Sequence, residues 1–124
     1  MHILISEGKS ELIVNKSKFI GYSVIANSRE GFLARVREIR INNPSAGHAV
    51  YGMLIKKNTI EPHFSDDGEP SGTGGRPLIC ILESKKIING GLVVVRYYGG
   101  INLGMGGLAR AYSQTGLKAI LASK

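Results

Sequence analysis

Apolar and polar positions alternate from Phe19 to Ala26, with Phe19, Gly21, Ser23 and Ile25 on one side and Ile20, Tyr22, Val24 and Ala26 on the other. A period of two marks a β-strand. The mixed segment Ile3 to Val14 before it predicts one strand, placed to form a hairpin with the next. The period then lengthens. Phe32, Leu33, Val36 and Ile39 recur at helical spacing, with Arg29, Arg35, Arg37 and Arg40 largely outside the stripe. Ser28 is suited to the N-cap, Glu30 to the first turn, and Asn42-Asn43-Pro44 ends the helix. The arginine face is read as solvated.

His48 to Lys57 predicts a second long strand with a turn at Asn58-Thr59, followed by a polar loop from Phe64 to Pro77. Pro77 fits the first turn of a helix, and Leu78, Ile79, Ile81 and Leu82 continue it to about Lys86. Asn89-Gly90-Gly91 breaks that pattern. Leu92 to Tyr98 is a β-branched apolar run suited to a central strand, with Tyr97 and Tyr98 on opposite faces. A last helix runs from Leu103 or Met105 to Ala122, with Leu108, Ala111, Tyr112, Thr115 and Ala119 along one face. The order β-β-α-β-α-β-α predicts an α/β (α+β) two-layer sandwich, with the helices on one face of a mixed four-stranded sheet. No repeat or linker interrupts it, so residues 1–124 are expected to form a single domain.

Charge and cysteine usage narrow the function classes. The net charge is +7, which favours nucleic acid, ribosome or acidic-protein partners. The one cysteine, Cys80, permits no internal disulfide and points to a reducing compartment. It lies in an apolar run, and a buried structural thiol is expected there. No apolar run has the length of a signal peptide or a membrane span, so the expectation is a cytoplasmic protein without membrane association.

Candidate chemistry collects in two segments. Arg96 to Tyr112 brings an apolar strand into Gly99, Gly100, Gly104, Gly106 and Gly107 and then into a helix. A glycine-rich loop before a helix N-terminus offers free N–H groups and the positive end of the dipole to an anion, here supported by Lys18, Arg76, Arg96 and Arg110. The alternative is that these glycines serve close packing and tight turns. In the other segment, Asp66, Asp67 and Glu69 form an acidic island near His48 and His63. Metal binding and acid–base chemistry compete there with an organising polar network of Ser65, Asp66, Asp67, Glu69 and His48. The network is preferred; no catalytic residue, metal or cofactor is assigned. Aromatic stacking on unpaired bases is open to one of Tyr97 and Tyr98, with core packing expected for Tyr98 and Tyr112.

The run Phe64-Ser65-Asp66-Asp67-Gly68-Glu69-Pro70-Ser71-Gly72-Thr73-Gly74-Gly75-Arg76-Pro77 resembles a signature of the IMPACT/YigZ family, as does Arg96 to Ser113. Ser17-Lys18-Phe19-Ile20 and His48 match two further positions. Three positions depart from the pattern: Gly74 or Gly75 stands where alanine is usual, Tyr98 where phenylalanine is common, and Val50 where a cysteine is often found. The last departure argues against a histidine–cysteine pair. The resemblance implies the fold of the second domain of small-subunit ribosomal protein S-five. It also implies that bacterial members add a C-terminal ferredoxin-like domain, which is expected to be absent from this sequence. For function, it implies a non-enzymatic, translation-linked domain that contacts the ribosome, RNA or a ribosome-associated protein. An enzyme acting on a phosphorylated small molecule and a pure protein-interaction domain remain as alternatives. Oligomeric state is left open.

Overall fold

The computed structural model describes residues 1–123. Eight elements follow one another: β1 (Lys9–Val14), β2 (Ser17–Ile25), α1 (Arg29–Asn42), β3 (His48–Lys56), β4 (Ile60–Ser65), α2 (Gly75–Ser84), β5 (Gly90–Tyr97) and α3 (Gly104–Leu121). The α+β class and the three helices are as expected from periodicity. Five strands replace the expected four, in the order β1-β2-β5-β3-β4. All four strand pairings are antiparallel, so the sheet is not mixed. The additional strand is β4, whose short alternation is masked in sequence by Pro62 and His63. Proline is tolerated there because β4 pairs only with β3, leaving its other edge without a ladder.

The helices cover both faces, which corrects the two-layer expectation. Along β5, Leu92 and Val94 pack with Leu78, Leu82, Leu108 and Tyr112 of α2 and α3. Their neighbours Val93 and Val95 point the other way, onto Phe32, Val36 and Ile39 of α1. The run Leu92–Val95 is apolar throughout because β5 is buried on both sides. Each fully buried side chain of this kind contributes about 1.5–3 kcal/mol.

Local signals place the ends. Ser28 caps α1 as expected, its Oγ accepting from Gly31 N–H at 3.0 Å. Helix α2 begins at Gly75, with Pro77 in its first turn. Gly90 and Gly91 lie inside β5 rather than ending a helix. β1 and β2 are joined through Asn15 and Lys16, both in the left-handed region with φ 46° and 68°, as a tight two-residue hairpin requires. Gly99 rests on that turn: a Cβ there would come within 2.1 Å of the Lys16 carbonyl, so the approach admits only glycine. Cys80 is exposed, not buried, because Leu78, Ile79 and Leu82 supply the inward side of α2.

Candidate functional site

Alternation along the sheet brings Ser17, His48 and Arg96 to the same face at one end. Arg96 pairs in register with Phe19 on one side and His48 on the other. The loop between β4 and α2 lays Glu69 over them, and α3 brings Tyr112 from above. Arg96 Nη1 donates to both carboxylate oxygens of Glu69, at 3.0 and 2.9 Å. Tyr112 OH donates to Glu69 Oε2 at 2.5 Å. Ser17 Oγ accepts from Arg96 Nε and Nη2, at 3.4 and 3.2 Å, and from Gly99 N–H at 3.2 Å. The Arg96 guanidinium lies between the rings of Phe19 and Tyr98, 5.5 and 5.3 Å from their centroids. Burial raises the Tyr112 hydroxyl well above the usual tyrosine range, and its bond to the Glu69 carboxylate adds to the rise. The hydroxyl therefore remains a donor.

The acidic island divides into three structural tasks. Asp66 is an internal cap: Oδ1 accepts from Gly74 and Gly75 N–H at 3.0 and 2.8 Å, and Oδ2 from Gly72 N–H at 2.9 Å. It thereby satisfies the first donors of α2, whose N-cap residue is a glycine. Asp67 ties the loop to the opposite layer. Its Oδ1 lies 2.7 Å from Arg40 Nη2, and its Oδ2 accepts from Ala49 N–H at 2.7 Å. Ser65 Oγ accepts from Asp67 N–H at 3.0 Å. Asp67 and Gly68 both have positive φ, 45° and 86°. His48 Nδ1 donates to the Asp67 carbonyl at 2.8 Å. Glu69 forms the buried ion pair.

Ser65, Asp66, Asp67, Glu69 and His48 are therefore brought together, while the basic candidates are scattered. Arg96, expected as an anion contact, is 5% exposed and committed to Glu69 and Ser17. Lys18 faces Glu11 at 3.8 Å on the surface. Arg76 stacks over the Phe64 ring at 5.4 Å. Arg110 is exposed and lines a cavity of about 300 Å³ beside the hairpin turn. Gly100 and Gly104 have positive φ and face open space, and Gly106 and Gly107 sit in the first turn of α3. No side chain caps that turn. His63 lies on the β4 face opposite Phe64 and is directed to Glu61 at 3.6 Å. Among the described residues, no group of three or more His, Cys, Asp or Glu converges as metal ligands.

A cavity of about 470 Å³ opens between the two signature segments. His48, Glu69 and Arg96 form its polar floor, and Leu103, Met105 and Leu108 contribute apolar wall. Tyr98, expected in the core, is 56% exposed at the rim, because the strand ends at Tyr97 and no layer covers the loop beyond it. Its hydroxyl donates to Asn102 Oδ1 at 3.1 Å. Sequence reasoning missed the parts of Ser17 and Tyr112 in this floor. A polar residue on the inward side of a strand was the available signal for Ser17.

A profile of the Impact N-terminal domain matches residues 15–120. The chain belongs to the IMPACT family. It is 41% identical over 112 residues to an IMPACT family member of Haemophilus influenzae, covering 86% of this chain and 54% of that protein. It is 39% identical over 101 residues to the Escherichia coli member YigZ, covering 80% and 50%, and 34% identical over 108 residues to YvyE of Bacillus subtilis, covering 87% and 50%. The chain thus spans about half the length of these curated relatives. The fold superposes on the crystal structure of a hypothetical protein with a TM-score of 0.93 at 33% identity, covering 98% of this chain and 60% of that one. It also superposes on the two-domain translational regulator Yih1 with a TM-score of 0.61, covering 99% and 49%. At 22% identity, that second likeness is one of fold. Among the described residues, no helix of this family member is long and apolar enough to cross a membrane.

Proposed function

We propose that this chain is a non-enzymatic, translation-linked binding domain whose recognition surface is the rim of the cavity between the two signature segments, and whose partner is RNA of the translation machinery. The observation that carries the reading is the contrast between floor and rim. Glu69, Arg96 and Tyr112 satisfy one another, an arrangement suited to holding shape rather than to moving protons. The rim leaves Tyr98 and Met105 uncovered beside the uncapped first turn of α3. Arg110 lies on the far side of that turn, in a cavity that shares Leu103 with the first. Among the described residues, no carboxylate pairs with Arg110 or Arg76. An exposed aromatic at the cavity rim and two arginines without carboxylate partners, on a chain of net charge +7, suit RNA better than an acidic protein surface. The link to translation is supported by the fold shared with a translational regulator.

Co-sedimentation with ribosomes across a salt series tests this reading. Binding is expected to fall steeply with salt, and to weaken in a folded Arg76→Ala/Arg110→Ala variant. Wild-type binding by that variant, or no binding at low salt, would remove the proposal. Arg96 is unsuitable for this test because it is buried. A second reading, an enzyme acting on a phosphorylated small molecule, is favoured by one observation: about 470 Å³ lies within the usual range of small-ligand sites. Turnover of a phosphorylated metabolite by purified protein would establish it.

A further inference from the structure

His48 and Glu69 place two hydrogen-bond acceptors side by side on the cavity floor. The Asp67 carbonyl only accepts, so the His48 Nδ1 facing it at 2.8 Å carries the proton. In the neutral ring, Nε2 is then a bare acceptor. It stands 3.6 Å from Glu69 Oε1, beyond hydrogen-bond reach, so neither atom satisfies the other. Arg96 Nη1 donates to Oε1 at 3.0 Å, whereas Oε2 takes both a contact from Arg96 and the Tyr112 hydroxyl. Because Arg96 already balances the Glu69 charge, the floor calls for a neutral N–H donor rather than a cation. The apolar wall and the exposed Tyr98 ring at the rim suit a flat, weakly polar body.

We propose that this cavity binds a nucleobase carrying an exocyclic amine, whose two N–H groups donate to His48 Nε2 and Glu69 Oε1 while its ring lies against Tyr98. Adenine, cytosine and guanine each carry such an amine; uracil has none. The inference rests on the RNA-binding reading where the base belongs to an RNA chain. A free nucleotide presents the same chemistry to the floor.

The experiment compares labelled hexa-adenylate with the same hexamer carrying purine in place of adenine, which removes only the amine. Fluorescence anisotropy is measured at pH 8 with wild-type protein and His48→Phe, with unlabelled AMP as competitor. The adenine hexamer is expected to bind on the order of tenfold more tightly than the purine hexamer. His48→Phe is expected to erase that preference. AMP competing at the affinity of the hexamer supports the cavity assignment and identifies a free nucleotide as the source of the base. Equal binding of the two hexamers to wild type, or no binding of either hexamer or AMP, overturns the inference. Ribosome co-sedimentation that survives such a result leaves the translation-linked reading standing, so the two failures are separable. If His48→Phe does not fold, nitrogen–proton correlation spectra of wild type decide: a neutral Nδ1–H tautomer supports the acceptor pair, and a proton on Nε2 overturns it.

Discussion

Replacing Arg96 by methionine tests whether the cavity floor is a support for the fold. The Arg96 and Glu69 side chains are 6% and 4% exposed, so water screens their interaction little. Without the guanidinium, Glu69 keeps only the Tyr112 hydroxyl, and Ser17 Oγ keeps only Gly99 N–H. A buried charge stripped of its partner costs about 3–5 kcal/mol. For 124 residues, unfolding entropy is about 0.26 kcal/mol per degree, so a loss of about 4 kcal/mol lowers the melting temperature by about 15 °C. Glu69→Leu strands Arg96 instead and is expected to cost a similar amount. The double variant removes both charges and leaves only the Tyr112 hydroxyl without its acceptor, a deficit of about 1–3 kcal/mol. Urea and thermal unfolding of all four proteins should show the double variant losing less than either single variant, a coupling of about 6 kcal/mol between the two sites. Additive single effects, or a loss below about 1 kcal/mol for Arg96→Met, would refute the reasoning.

Three other perturbations test separate parts of the structure. Asp66→Ala removes the acceptor of the buried Gly74 and Gly75 N–H groups, and chemical denaturation should show a loss of about 2–4 kcal/mol. Glu7 accepts two hydrogen bonds from Arg35, at 2.7 and 2.9 Å, and these hold its carboxyl below the usual range. Because the folded value is depressed, its contribution is present above about pH 4.5 and is lost as pH falls through the folded value. The pair is about one-third exposed, so Glu7→Gln should cost less than about 1 kcal/mol at neutral pH, and the gap from wild type should close in acid. Cys80 should react with a thiol reagent in the native protein; reaction only on unfolding would contradict the outward side assigned to α2.

Where one element's own pattern settled its structure, the sequence was enough. The hairpin partner of β2, the Ser28 cap, the central apolar strand and the three helices follow from periodicity and capping chemistry, which act between neighbours. The two signature segments marked where the cavity lies, because glycines and carboxylates so concentrated have little reason to occur in an ordinary loop. Which side of the sheet each helix covers was not legible. An apolar run such as Leu92–Val95 has the same composition whether one face or both are buried. Nor was the partner of each charge. Asp66, Asp67 and Glu69 lie within four residues of one another, yet they serve a helix cap, the pair to Arg40 on the opposite layer, and the buried pair to Arg96. Burial turned Arg96 from an expected contact into a support, and the end of β5 left Tyr98 exposed rather than in the core. These outcomes depend on which surfaces meet across distant segments. Short-range periodicity carries no record of that, and only the tertiary structure decides it.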